Sequence, residues 1–157
     1  MSHDIKFSKG RDLEGKRITL CVTGSIACFL TPELIRELIR YGAEVYPVVS
    51  KMARKFITPL LLEWASGNKV VTELTGKLEH IELGEKSDII LVYPASANTI
   101  SKFSQGIEDT PITSILSVAL GANVPIFMAP AMHASMYNNP ILKENIEKLK
   151  DLGVRFI

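Results

Sequence analysis

The sequence predicts an α/β fold: one doubly wound parallel sheet of the Rossmann-like or flavodoxin-like kind, with helices on both faces. Apolar segments alternate with helical patterns along all 157 residues, as expected for successive βαβ units. Each apolar segment is nearly continuous, which is typical of strands buried on both faces. No repeat or linker divides the chain, so we expect a single domain over residues 16–157 after a polar extension over residues 1–15.

Five apolar segments are the predicted strands, at residues 18–22, 44–49, 89–93, 125–129 and 154–157. The first predicted helix has Thr31 as its N-cap and Pro32 as its first residue, and it ends at Gly42. Further helices are predicted over residues 56–65, 98–103 and 112–120, and from Pro140 onwards. The glycine-containing stretch at 67–85 is predicted to be irregular.

Charge and composition exclude several classes of function. The 18 basic and 17 acidic residues nearly cancel, so a nucleic acid partner is not expected, and a solvated helix face explains the basic run at 51–55. Cys21 and Cys28 do not have CxxC spacing, which disfavours a metal site; Cys21 is expected in the core, and Cys28 is expected to be more open. No signal region or membrane-spanning stretch is present, so we expect a cytoplasmic protein.

Small and polar residues follow the first three predicted strands, at the sheet edge where ligands of such folds bind. Gly24, Ser25 and Ile26 follow the first strand, Ser50 follows the second, and residues 96–99 follow the third. Taken singly, each segment is explained as a tight turn or an ordinary N-cap. Together they predict a mononucleotide phosphate site, and the absence of GxGxxG disfavours a dinucleotide.

The fourth predicted strand leads into a polar loop that contains Ala131, Met132 and His133. Methionines in such loops are more often core residues than ligand contacts, so we give Met132 and Met136 no separate weight. His80 lies in a stretch of alternating polar and apolar residues, where a single histidine is usually a bystander. These residues acquire a role only through the resemblance described next.

Five motifs, in order and spacing, resemble the homo-oligomeric flavin-containing cysteine decarboxylases, and within them the phosphopantothenoylcysteine decarboxylase domain, over residues 16–157. The motifs are Gly24-Ser25-Ile26-Ala27, Thr31-Pro32-Glu33-Leu34, His80-Ile81-Glu82-Leu83, Pro94-Ala95-Ser96-Ala97-Asn98-Thr99, and Pro130-Ala131-Met132 with Met136-Tyr137. Any one of them is modest evidence, whereas the combination is specific. The resemblance implies that residues 16–157 form an FMN-binding flavoprotein decarboxylase domain.

The resemblance implies a function and a set of site residues. The reaction is FMN-dependent oxidative decarboxylation of the cysteine moiety of 4′-phosphopantothenoylcysteine towards 4′-phosphopantetheine, in coenzyme A biosynthesis. His80 is the implied catalytic residue and reaches FMN from a neighbouring subunit of a trimer, or of a multiple of trimers. The residues that contact the substrate are Ala131, Met132 and His133. The residues that hold FMN are Gly24, Ser25, Ile26, Ser50, Ser96, Ala97, Asn98 and Thr99.

Two features depart from the family pattern. His133 stands where the family has an asparagine that binds the substrate carboxylate. In the family, a C-terminal clamp with a cysteine, and often a cysteine-ligating synthetase domain, follow at about the point where this sequence stops. Three alternatives remain open: a relative that acts on peptidyl cysteine or makes prenyl-FMN, a non-catalytic flavin-binding subunit, and a nucleotide-binding module without flavin.

Overall fold

The computed structural model describes residues 3–157 and contains a five-stranded parallel sheet in the order β2-β1-β3-β4-β5. This flavodoxin-like order confirms the predicted doubly wound fold. The strands are β1 (Arg17–Val22), β2 (Glu44–Val49), β3 (Ile89–Ala95), β4 (Ile126–Pro130) and β5 (Arg155–Phe156). The helices are α1 (Thr31–Arg40), α2 (Pro59–Ser66), α3 (Glu79–Glu85), α4 (Ala97–Ser104), α5 (Pro111–Gly121), α6 (Ala134–Tyr137) and α7 (Pro140–Asp151).

The two faces of the sheet carry separate cores. Leu20 of β1 belongs to the core beneath α1 and α2, whereas its neighbour Cys21 belongs to the core beneath α3, α4, α5 and α7. Leu91 of β3 pairs with Phe127 of β4, and both side chains are only half-buried. Among the described residues, α1 and α2 thus cover one face mainly over β1 and β2, while four helices cover the other face.

The helices begin largely where the sequence predicts, but Thr31 is not a cap. It is the first residue of α1, and its hydroxyl donates to the Cys28 carbonyl at 2.6 Å within the preceding 3-10 turn, Ile26–Leu30. Because that turn runs directly into α1, the threonine side chain bonds backwards. The turn also buries Cys28 completely, so the expectation of a more open Cys28 is wrong. Residues 56–58 precede α2, and Thr58 caps it at Leu61 N.

Part of the stretch predicted to be irregular, residues 67–85, forms α3. Glu79 opens this helix, and its carboxylate accepts hydrogen bonds from the Thr75 hydroxyl and, at 2.9 Å, from the Thr75 backbone N–H. These bonds lower the pKa of Glu79 to about 2. Gly84 brings α3 close to α5, since a Cβ there would lie 2.6 Å from Val118 Cγ1. These contacts stabilise α3, which is too short to show a repeating pattern of apolar residues in the sequence.

The residues before β1 pack against the end of α1. Lys9 Nζ pairs with Glu37 at 2.8 Å, and Leu13 N donates to the Tyr41 carbonyl at 3.0 Å. Since α1 ends where β2 is about to begin, this segment lies at the amino edge of the sheet. Within residues 3–157, no helix has both the length and the apolar character needed to cross a bilayer.

Candidate functional site

Two adjoining cavities lie at the carboxyl ends of the strands. The first, which we call the Lys51 cavity, has a volume of about 500 Å³. The second, the Met132 cavity, has a volume of about 530 Å³. Gly24, Ser96, Ala97 and Met136 line both cavities, so the two are neighbours. The residues that line the Lys51 cavity are Gly24, Ser50, Lys51, Met52, Lys55, Ser96, Ala97, Asn98, Thr99, Lys102, Thr110, Ile112, Thr113 and Met136.

The residues predicted to hold a mononucleotide are brought together by this arrangement. Ser50 and residues 96–99 line the Lys51 cavity, and Ser25 and Ile26 line the Met132 cavity. A buried hydroxyl, that of Thr23, ties the loop after β1 to the loop after β3. It donates to the Pro94 carbonyl at 2.6 Å and accepts the Ser96 backbone N–H at 2.9 Å. The two loops are therefore held in a fixed relation to each other.

The first turn of α4 offers free donors to the Lys51 cavity. Ser96 caps the helix, since its Oγ accepts the Thr99 backbone N–H at 3.3 Å. The backbone N–H groups of Ala97 and Asn98 have no hydrogen-bond acceptor among the described residues. Helix N-termini with free N–H groups bind anions, because the backbone dipoles add to the hydrogen bonds. This wall of the cavity suits a phosphate.

The loop after β2 adds positive charge to the cavity. Ser50 Oγ accepts the Ala53 backbone N–H at 3.1 Å and so begins the 3-10 turn Ala53–Lys55. Lys51, which precedes this turn, and Lys55, its last residue, both line the cavity. The explanation of the 51–55 run as a solvated helix face is therefore incomplete. The sequence did contain a signal for this role: the basic run directly follows a buried strand, and the carboxyl ends of such strands are where ligands bind.

Gly24 permits the close approach of the loops after β1 and β2. A Cβ at position 24 would lie 2.4 Å from Met52 Cγ and 2.6 Å from Met52 Cβ, which is far inside van der Waals contact. Because these two atoms are near the backbone, rotation of the methionine side chain does not remove the overlap. Glycine at this position thus maintains the wall shared by the two cavities.

His133 lines the Met132 cavity together with Ala131 and Met132. It is the N-cap of α6, and its Nδ1 accepts the Ser135 backbone N–H at 3.2 Å. A backbone N–H can only donate, so Nδ1 carries no proton in this arrangement and the proton of the neutral ring is on Nε2. Nε2 has no protein hydrogen bond among the described residues and is available as a donor.

His80 is not brought to the cavities within a single chain. It lies on α3, which packs against α5, and it lines neither the Lys51 cavity nor the Met132 cavity. Its Nδ1 is buried and has no hydrogen-bond partner among residues 3–157. A buried nitrogen without a partner is uncommon in a folded protein. The role predicted for His80 thus depends on residues outside this chain's own cavities.

The two cysteines provide no reactive group at this site. Burial raises the pKa of the Cys21 thiol to about 12 and raises that of Cys28 above its ordinary value. Because the thiolate is the reactive form, both thiols are inert near neutral pH.

Comparison with known proteins gives consistent relatives. The coenzyme A biosynthesis bifunctional protein CoaBC of Thermococcus kodakarensis is 55% identical over 164 residues, which cover 100% of this chain and 40% of that protein. A probable phosphopantothenoylcysteine decarboxylase of Streptococcus mutans is 38% identical, over 90% of this chain and 82% of that protein. The chain thus spans less than half of the length of the bifunctional relative.

Two solved structures share the fold. The FMN-dependent cysteine decarboxylase SpaF superposes with a TM-score of 0.85 at 28% identity, over 92% of this chain and 85% of that one. A phosphopantothenoylcysteine decarboxylase mutant complexed with pantothenoylaminoethenethiol superposes with a TM-score of 0.74 at 32% identity, over 90% of this chain and 81% of that one. The family described as Flavoprotein matches residues 6–157. The fold, the two cavities and these matches agree: the chain belongs to the flavoprotein family.

Proposed function

We propose that the chain catalyses the FMN-dependent decarboxylation of the cysteine moiety of 4′-phosphopantothenoylcysteine, in coenzyme A biosynthesis and in the cytoplasm. The observation that carries the proposal is the convergence of Gly24, Ser50 and residues 96–99 on one cavity, next to a second cavity lined by His133. The 38% identity to the probable phosphopantothenoylcysteine decarboxylase supports the choice of substrate.

FMN fits the pair of cavities. The Lys51 cavity offers its phosphate the N–H groups of Ala97 and Asn98, and the apolar lining of the Met132 cavity suits its ring. When bound, FMN supplies the hydride-transfer chemistry that protein side chains cannot perform. The residues of the chain then bind the cofactor and orient the substrate beside it.

His133 is proposed to orient the substrate through its carboxylate. Because Nδ1 accepts the Ser135 backbone N–H, the ring presents a proton on Nε2, and this N–H can donate to a carboxylate oxygen as an asparagine amide would. The cap contact to Ser135 restrains the ring, so little conformational freedom is lost when the substrate binds. Histidine thus serves here in place of the family's asparagine.

His80 is proposed to act at the site of a neighbouring subunit in a homotrimer. Its absence from the lining of this chain's own cavities and its buried Nδ1, unpartnered among the described residues, support this placement. Exposed apolar side chains in the turn before α1 and in and before α2, which packs against α1, are what we call the apolar flank, and they support self-association because large apolar patches often mark contact surfaces. The apolar flank consists of Phe29, Leu30, Phe56, Leu60, Leu61 and Trp64.

The decisive experiment measures carbon dioxide release from 4′-phosphopantothenoylcysteine by the FMN-loaded protein. The parent should release carbon dioxide, and His80→Asn should retain FMN while its rate falls by about 10²–10⁴-fold. Glu85→Gln, on the same helix and exposed, is the matched control and should behave like the parent. FMN binding without carbon dioxide release by the parent would instead indicate a flavin-binding subunit. Normal turnover by His80→Asn would remove His80 from the mechanism.

A further inference from the structure

The Lys51 cavity carries positive charge that no acidic side chain in its lining offsets. Three lysines line it, and no aspartate or glutamate does. Lys102 is already paired, since its Nζ lies 2.6 Å from Asp109 Oδ2. Lys51 and Lys55 form no ion pair within the described part of the chain. Two ammonium groups therefore remain available to a ligand in this cavity.

The three basic residues of the 51–55 run do not all line the cavity: Lys51 and Lys55 do, and Arg54 does not. Arg54 lies between the two lysines in sequence, but it does not line the cavity, and its Nη2 is 3.9 Å from Glu73. The 3-10 turn at Ala53–Lys55 produces this division, because it directs successive side chains to different sides. The cavity thus receives two of the run's positive charges while the third interacts elsewhere.

The opposite wall provides donors for the same ligand. The free N–H groups of Ala97 and Asn98 lie in the first turn of α4, and Thr99 also lines the cavity. A phosphate monoester carries a charge of about −2 near neutral pH and has three acceptor oxygens. Two ammonium groups together with several donors match that charge and that number of acceptors better than they match a carboxylate.

We propose that Lys51 and Lys55 recognise a phosphate monoester dianion in the Lys51 cavity, and that they make the site selective for a phosphorylated ligand. The inference deepens the proposed function. Two ligands of that function contain such a phosphate, namely FMN itself and the phosphopantothenoyl substrate. The chemistry of recognition is the same for both, so the experiment has one arm for each.

The first arm compares FMN with riboflavin, which lacks the phosphate, by quenching of flavin fluorescence on binding. Lys51→Gln with Lys55→Gln should weaken FMN binding by about tenfold and leave riboflavin affinity unchanged. The salt dependence of FMN binding should become shallower in the double variant. Lys143→Gln removes one exposed positive charge from α7, outside both cavities, and is the control. It should change neither the affinity for FMN nor the affinity for riboflavin. Arginine at both positions should restore the preference for FMN.

The second arm titrates the FMN-loaded protein with 4′-phosphopantetheine and with pantetheine. If the double variant keeps its preference for FMN over riboflavin but loses its preference for 4′-phosphopantetheine, the lysines recognise the phosphate of the substrate. Unchanged preferences in both arms would overturn the proposal. Neither arm needs turnover, so a chain that selects phosphorylated ligands but releases no carbon dioxide would keep this inference and lose the proposed function.

Discussion

His133 has two ring nitrogens with different partners. Nδ1 accepts a hydrogen bond from Ser135 and so caps α6, whereas Nε2 carries the proton and has no protein acceptor among the described residues. An asparagine can perform both tasks, because its oxygen caps helices well and its amide donates. A leucine can perform neither. Replacing His133 with asparagine should therefore preserve the donor and the cap, whereas replacing it with leucine should remove both.

We predict that His133→Asn retains substrate affinity and that His133→Leu loses it. In His133→Leu, loss of the N-cap should also destabilise the short helix α6 by about 1 kcal/mol. Substrate KM and the thermal midpoint, measured on both variants, distinguish binding from folding. His133→Ala with Ser135 retained serves as a second donor-free variant. Parent-like KM values for the leucine and alanine variants would place His133 outside the substrate site.

Individual residues were predictable from sequence where the local motif determines the contact. Ser96 is the N-cap of α4, as its position after a strand predicts, because a cap bonds to a residue two or three positions away. Ser50 accepts the Ala53 backbone N–H in a similar way, but the residue at the cap position of the 3-10 turn is Met52. The placement of Lys51 and Lys55 in the cavity could not be predicted from the sequence, because the side on which a long side chain lies depends on the following turn. Cys28 was misjudged for the same reason, since its burial is produced by packing of the 3-10 turn against distant residues.

Among the elements, the loops after β1 and β2 approach each other closely at Gly24. The contact partner, Met52, belongs to the segment that also carries Lys51 and Lys55. A side chain at position 24 must displace this whole segment, because the overlapping atoms of Met52 are next to its backbone. The position of Lys51 and Lys55 in the Lys51 cavity therefore depends on a residue that has no polar side chain.

We predict that Gly24→Ala weakens FMN binding by about tenfold or more. Overpacking of this kind typically costs about 1–3 kcal/mol, here through displacement of the 51–55 segment. Gly121→Ala is the matched control, since a Cβ at position 121 meets nothing within 4 Å. Titration of FMN fluorescence, together with a thermal unfolding curve, checks the result. Unchanged FMN affinity in Gly24→Ala would show that the displaced segment does not contribute to binding.

Strands and most helices followed from apolar runs and cap residues, but α3 did not. Its first turn depends on Glu79 and Thr75, four residues apart, and its packing depends on Gly84 against Val118 of α5. The first contact is polar and the second joins residues far apart in sequence. A periodicity of apolar residues therefore could not predict a helix of only seven residues here.

For the whole molecule, exposed apolar side chains include those of the apolar flank, in the turn before α1 and in and before α2, the helix that packs against α1. Phe29 is 63% exposed, Leu60 is 74% exposed and Trp64 is 52% exposed. The Arg36 guanidinium lies 4.6 Å from the Trp64 ring centroid and covers only part of it. Contact with a second copy of the chain would bury this surface, and the free energy gained scales with the apolar area removed from water.

We predict that the protein is a trimer or a multiple of trimers, and that Trp64→Glu shifts it towards monomers. A carboxylate in a buried apolar contact loses hydration without a compensating partner. Light scattering coupled to size exclusion gives the mass, and Leu152→Glu, at an exposed apolar position after α7, is the control. A monomeric parent would contradict both the trimer and the proposed role of His80. The sequence predicts the doubly wound parallel sheet far better than this assembly, because subunit contacts depend on the shape of complete surfaces.

The position of the residues before β1 has a practical consequence for immobilised protein. These residues are bound to the end of α1 at the amino edge of the sheet, and both cavities open at the carboxyl edge. A biosensor surface that captures the protein through its amino terminus should therefore leave the cavities facing the flowing solution. Ile157, by contrast, donates its backbone N–H to Met128 of β4, the strand that leads into the His133 loop. Attachment through Ile157 would therefore place the sensor matrix beside β4, the strand that precedes the His133 loop, and should slow ligand association relative to capture through the residues before β1.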